Sequence, residues 1–417
     1  MKLCEIQLVI NITGEDRIED IELGINEKIL SSAVNTVSAK IWLQVGYYRF
    51  LLDEPLPNFS GFTLKQIILG WQLLQSLAVV VFDSFTLSEQ DNIKHLLNFA
   101  PRIARGGLVN AFARALVLDS QRAEELMNVF VFGRVHNQEV WLQPLVPYKD
   151  DFCLVIPSIH SVHLHRIVEG WMRQGGLDLD RRGPEFENFC LKEIVIAVEE
   201  SPIKESIQIL GKSINFTPPD ERSEEIDIVV IVADTILLIE AKCILWPDES
   251  LQFANYRDTV EAAVVQITRK RDAVTRNRDS FSKRIKDLGY KAPENFTVAC
   301  CVLTNSAILS GFPIATVPII DLSILNAFFK NEHIKFELRH LGESIQKHSI
   351  TFYINAKEAG DTLNTYLTHP PQLTETKKYV KSREIEFPLE SSEFGKFLHE
   401  VYFVQVDVNE IRKQYDA

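Results

Sequence analysis

The sequence predicts an α/β protein: a mixed sheet with helices on its faces, preceded by an α+β domain and followed by a small α+β region. Three observations carry this. The 417 residues exceed one ordinary core. A helix, three strands, a helix and a further strand follow one another through residues 176–330. The glycine- and charge-rich "RQGGLDLDRRGPEF" (173–186) separates that run from what precedes it. The expected divisions are residues 1–175, 176–330 and 331–417.

In order, the first domain opens with strand-like segments and a helical run from Leu64 to Phe82. Its apolar window, "IILGWQLLQSLAVVVF", is short for a bilayer span and is interrupted by Gln72, Gln75 and Ser76, so it reads as a buried helix. "VNAFARALVL" and "QRAEELMNVF" keep helical spacing, and residues 130–159 alternate apolar runs with turn signals, as a β-meander does. In the central unit Pro184 opens a helix to about Val198. Strands are expected at Ser206–Phe216, Asp227–Val232 and Thr235–Cys243, a long helix at Tyr256–Leu288, strands in "FTVACCVLTN" and "VPIIDL", and a helix in "LSILNAFF". In the tail, "HPPQLTETKK" reads as an exposed connection and "EIEFPL" and "VYFVQVDV" as strands.

Composition narrows the classes. A formal charge of -13 argues against coating nucleic acid by bulk electrostatics, so any such contact must be local. Six scattered cysteines without CxxC spacing fit small core residues in a reducing compartment. The N-terminus lacks a secretory pattern, so the expected setting is cytoplasmic, with no membrane partner. No Walker loop and no Gly-x-Ser-x-Gly elbow occur. His160, His163 and His165 in "HSVHLH" are set aside as a metal site, because at the start of a helix they point in different directions.

The chemistry centres on "EEIDIVVIVADTILLIEAKC" (224–243). A hairpin turning at Ala233-Asp234 pairs residues whose numbers sum to 467, so Asp227 faces Glu240, and Lys242 lies two residues along on the same face. Two carboxylates about 4 Å apart repel by roughly 4 kcal/mol at an effective dielectric near 20. A divalent cation turns that repulsion into shared attraction, and the lysine beside it can orient a water and stabilise developing negative charge. The alternative is a surface hairpin with solvated charges.

Two helices tip the balance. In "PEFENFCLKEIVIAV" an apolar face of Phe186, Phe189, Cys190, Ile194 and Ala197 includes Glu187, with Glu193 near its edge as a competing ligand. In the following helix Tyr256, Val260, Ala263, Val264, Ile267 and Val274 form the apolar stripe, with Gln266 and Lys270 beside it. From Gln266 to Lys286 eight basic residues, Arg269, Lys270, Arg271 and Arg276 among them, face only Asp272 and Asp279, which suits a passing phosphate backbone.

This order of residues resembles the PD-(D/E)xK, or restriction-endonuclease-like, nuclease superfamily, over about residues 176–330. The resemblance implies a restriction-endonuclease-like core in which Asp227 and Glu240 hold Mg²⁺, with Mn²⁺ able to substitute. It also implies that Glu187 supports the metal or a water, Lys242 positions the nucleophile, and Gln266 with Lys270 touches the site or substrate. Ile226 stands where the name-giving proline would be. The implied activity is hydrolysis of phosphodiester bonds, with DNA favoured over RNA and an endonuclease favoured over an exonuclease, in anti-phage defence or restriction. The rival is a catalytically silent nuclease-fold scaffold or nucleic-acid-binding subunit. A protein partner, or a homodimer through the first domain, is the further expectation.

Overall fold

The computed structural model describes residues 9–14, 17–24, 46–83, 99–134, 138–160, 164–177, 182–211, 213–218, 222–247, 250–331, 336–338, 346–348, 351–377, 380–388 and 396–404. The chain divides into two compact units. One comprises residues 1–182 with 245–252, the other residues 183–244 with 253–417. The expected boundaries at 175/176 and 330/331 compare with a single division near 182/183, and residues 331–417 fall in the second unit.

In the first unit, β1 (Val9–Thr13) pairs antiparallel with β2 (Asp20–Leu23). Helix α1 (Leu64–Asp83) is long and apolar enough to cross a membrane by length and composition, yet 67% of its most apolar window is buried inside the protein. Trp71 on α1 meets Trp171 edge-on at 5.3 Å, and Trp171 meets Phe130 at 5.8 Å, the aromatic centre of this core. Strand β3 (Arg102–Ala104) leads into α2 (Arg105–Leu116) and α3 (Ser120–Asn128). The expected meander is reduced to one hairpin, β4 (Leu145–Tyr148) with β5 (Asp151–Leu154), joined by β3 in the order β3-β5-β4. Residues around Val131 make only a single bridge to Leu145, and the end of the stretch is helical, α4 (Ile156–His160). Helix α5 (Leu164–Gln174) carries the buried Glu169, which accepts from the Tyr48 hydroxyl and from the Trp246 amide at 2.7 Å. The side chains of His160, His163 and His165 lie outside the described residues.

The second unit is mixed α/β. Helix α6 (Arg182–Glu199) buries Phe186, Cys190, Ile194 and Ala197, as its spacing predicts, while Phe189 is only half-buried. The strand expected at Ser206–Phe216 is two strands, β6 (Ile207–Leu210) and β7 (Ile214–Phe216), because the chain turns at Gly211. Strand β8 (Glu224–Ile226) pairs with β7 as a separate ribbon. Then come β9 (Ile228–Val232) and β10 (Thr235–Lys242), antiparallel from Thr235↔Val232 to Ile239↔Ile228, the register the sequence predicts.

The long helix is broken. α7 (Ser250–Arg276) ends at Asn277, whose side-chain amide donates to the Ala273 carbonyl at 3.0 Å, and α8 (Arg278–Asp287) continues the chain. β11 (Thr297–Thr304) and β12 (Ile319–Asp321) then add parallel to β10 and to one another, giving a five-stranded sheet ordered β12-β11-β10-β9-β6. Helix α9 (Leu322–Lys330) starts with the Asp321 carboxylate accepting from the amides of Ser323 and Ile324. Strands β13 (Phe336–Leu338) and β14 (Gln346–His348) form a short antiparallel pair.

Helix α10 (Ala356–Thr368) lies close against the sheet at Gly360, where an added Cβ would come within 2.9 Å of the Val232 carbonyl oxygen; the Thr235 hydroxyl donates to the Gly360 carbonyl at 3.0 Å. The segment expected as an exposed connection is helix α11 (Pro371–Lys377), since proline suits a first helical position. Strands β15 (Val380–Pro388) and β16 (Lys396–Val404) pair antiparallel; the end of "VYFVQVDV" lies outside the described residues.

Candidate active site

Parity along the strands aims the charges. Val229 and Ile231 of β9 and Ile236 and Leu238 of β10 belong to one core with Tyr256, Val260, Ala263, Val264 and Ile267 of α7. Side chains two apart share a face, so Asp227 before Val229 and Glu240 after Leu238 also lie toward α7. They are the next pair in register beyond the last ladder pair, Ile239↔Ile228. Strand β10 is buried from Thr235 to Ala241, so Glu240 stands in a wholly buried run, 2% exposed.

Each carboxylate has one oxygen occupied locally. Asp227 Oδ2 accepts the Ala241 amide at 2.9 Å, and Glu240 Oε1 pairs with Lys242 Nζ at 2.6 Å. The remaining oxygens meet the same cation: Lys270 Nζ lies 3.4 Å from Asp227 Oδ1 and forms an ion pair with Glu240 Oε2. Burial first, then the Glu240 charge, pushes the Asp227 carboxyl up from its ordinary range, against the pull of Lys270.

Glu187 of α6 completes the group electrostatically. Its carboxyl is pushed up to about 7, by burial first and then by Asp227, with Lys242 opposing. A carboxyl so placed takes up a proton near neutral pH. Glu193, the competing residue, sits half-buried further along the same helix.

The basic stripe is distributed differently from its expected role. Lys270, counted in the basic stripe and expected with Gln266 to touch the site or substrate, is one of α7's buried residues, held between the two acids. Arg269 donates from Nε at 2.6 Å and Nη2 at 2.9 Å to the buried Glu224, a bidentate pair that fixes the β7–β8 ribbon to α7. Arg271 bonds Asp272 Oδ1 at 3.1 Å, and Arg276 is exposed in the last turn of α7. Gln266 is half-buried and lines the cleft that opens on the acids.

That cleft, about 440 Å³, is lined by Asp227, Glu240, Gln266, Arg269 and Lys270 together with Asn215, Arg222, Ser223, Glu224 and Glu225. The ribbon residues Asn215, Arg222 and Glu224 belong to no motif. Glu224 had one legible signal: alternation puts it on the same buried side of β8 as Ile226, and a buried acid requires a partner.

Among the described residues no group of three or more His, Cys, Asp or Glu side chains is gathered as a metal-holding cluster. Where Asp227 and Glu240 converge stands the Lys270 ammonium. The donor set nevertheless fits a hard divalent cation in kind, since two buried carboxylate oxygens already share one positive charge, with Glu187 electrostatically coupled to both. No family model matches the chain, and neither a curated protein nor a solved structure matches it, so the functional reading rests on this geometry.

Proposed function

We propose that the second unit is a Mg²⁺-dependent nuclease with a restriction-endonuclease-like core, Mn²⁺ able to substitute, which hydrolyses phosphodiester bonds in DNA as an endonuclease. A role in anti-phage defence or restriction accompanies that reading. The observation that carries it is the convergence of Asp227 and Glu240 on one cation position with Lys242 held against Glu240. The succession of α6, the β9–β10 hairpin and α7, each contributing a site residue, supports the same reading.

Asp227 and Glu240 would hold the metal, whose contribution when bound is to neutralise phosphoryl charge and make water a better nucleophile. The chain's own residues supply the rest. The Ala241 amide fixes Asp227 in orientation. Lys242, 31% exposed at its side chain, reaches from Glu240 toward solvent, where it orients the attacking water and stabilises charge growing on the phosphoryl oxygens. Gln266 faces the cleft and positions the substrate.

A second reading, a silent nuclease-fold scaffold or nucleic-acid-binding subunit, is favoured by one observation: Lys270 fills the position a metal would take. Supercoiled plasmid and linear DNA incubated with wild type, Lys242→Ala and Glu240→Ala in Mg²⁺ or Mn²⁺ separate the two. Cutting by the wild type alone is the expected result; loss of a general base or metal-holding acid lowers rates by about 10²-fold or more. Folded wild type that cuts in neither metal supports the scaffold.

A further inference from the structure

Lys270 stands out from the other basic residues of α7. The neighbouring Arg269 bonds Glu224 of β8 and Arg271 bonds Asp272 of the helix, with arginine side chains 41% and 31% exposed, whereas the Lys270 side chain is 8% exposed. Its position on the buried stripe, between Ile267 and Ala273, is one that ordinarily goes to an apolar residue. The only return for burying an ammonium there is the pair of carboxylates it meets, Asp227 and Glu240.

Charge counting shows what this does to metal uptake. The formal charges of Asp227, Glu240, Lys242 and Lys270 cancel, so these four groups are neutral together without any metal, and an ionised Glu187 adds one negative charge beside them. A divalent ion added beside Lys270 would leave surplus positive charge at the site and would face an ammonium at contact distance. The two oxygens not already fixed by the Ala241 amide and by Lys242 are the two that Lys270 occupies. Metal and ammonium therefore compete for the same pair of atoms.

We propose that Lys270 is a built-in competitor cation: its ammonium holds the metal's place in the metal-free protein, and a divalent ion binds by displacing it into the cleft that Gln266 and Arg269 also line. This rests on the nuclease reading of the same site. It assigns Lys270 a positioning role in metal uptake, distinct from that of Lys242, which pairs with the other oxygen of Glu240, Oε1. Apparent affinity for metal is lowered by the fraction of molecules in which Lys270 occupies the acids.

The test is calorimetric titration of the full chain with Mn²⁺, comparing wild type, Lys270→Met and Asp227→Asn. Methionine keeps the length and removes the charge. The expected result is binding by Lys270→Met tighter than wild type by about tenfold or more, and none by Asp227→Asn. Should Lys270→Met be unfolded without metal, because two acids are left facing one another, Mn²⁺ should restore its near-ultraviolet circular dichroism; failure to restore it overturns the proposal. Equal or weaker binding by Lys270→Met, with binding still lost in Asp227→Asn, overturns the role of Lys270 and leaves the nuclease reading standing. Absence of Mn²⁺ uptake by both folded wild type and folded Lys270→Met overturns both.

Discussion

Two buried aspartates in this chain use charge in opposite ways. Asp151, at the start of β5, gives each of its oxygens a separate guanidinium: Arg17 Nη1 at 2.8 Å and Arg102 Nη2 at 2.7 Å. The Arg102 hydrogen bond foremost, with the Arg17 charge, holds its carboxyl below the ordinary range. Asp227 shares a single ammonium with a second carboxylate and is pushed the other way. Their side chains are similarly shielded, 3% and 11% exposed, yet burial is the first cause of the rise at Asp227, whereas at Asp151 the Arg102 hydrogen bond outweighs it. The number of cations per carboxylate decides whether burial is offset. The first arrangement supports a fold; the second gathers two carboxylates on one cation position, which a different cation could take only by replacing Lys270.

Neutralising each aspartate without changing its shape should therefore shift stability in opposite directions. Asp151→Asn sets two guanidinium groups against an amide and should lower the unfolding temperature. Asp227→Asn removes a buried charge and its repulsion with Glu240 and should stabilise the metal-free protein at pH 7.5. Scanning calorimetry without divalent ions reads both, and destabilisation by both substitutions would erase the contrast.

Acidity sharpens the comparison. The stabilisation from Asp151 is complete above the ordinary aspartate range and is lost as pH falls through its lowered value. Glu187 runs the other way. With an ordinary value of 4.5 and a folded value of about 7, it is protonated in the folded chain where the unfolded chain is ionised. Its contribution is most favourable below pH 4.5 and erodes as pH rises to about 7. Glu187→Gln should flatten that slope and stabilise the metal-free protein at pH 8 by about 1 kcal/mol, after discounting for the carboxyl's partial exposure. Urea denaturation at pH 5 and pH 8 checks it; an unchanged slope would show that Glu187 is not coupled to the acids.

The smallest effect concerns the exposed Arg222 on the ribbon side of the cleft. Arg222→Ala should change stability by no more than about 0.5 kcal/mol while lowering the salt slope of DNA binding by about one. Fluorescence anisotropy across a salt series measures it, and an unaltered slope would place the phosphate backbone elsewhere.

Much of the site was legible because parity is a strong constraint. Two runs of β-branched residues around a short turn leave one register that buries both, and this register puts Asp227 beside Glu240. The stripe from Tyr256 to Val274 likewise fixed the face of α7. What escaped lacks a periodic signal. The break at Asn277 is hidden because Val274, Phe281 and Ile285 keep helical spacing through it. The β7–β8 ribbon separates from the main sheet through tertiary packing, including the Arg269–Glu224 pair, between residues 45 apart in the chain. Lys270 was expected to touch the site or substrate with Gln266, but spacing locates a Cα and not the far end of a flexible side chain, so its ion pairing with both acids could not be read from the sequence.

The turn between β9 and β10 places Ala233 at φ 49°, in a region where a side chain is disfavoured, and its amide donates to the Ser206 carbonyl at 3.1 Å. Such a turn acts as a counting device. One residue added there, with the strands still pairing from the same turn, would reverse the parity of β10 against β9, sending Glu240 and Lys242 to the far side of the sheet and bringing Ile239 round to face Asp227. The strand would still be apolar enough to pack. Insertions at this turn should thus be far more damaging to the chemistry than to folding, and the length of this turn, which touches no site residue, is as much a part of the site as the acids themselves.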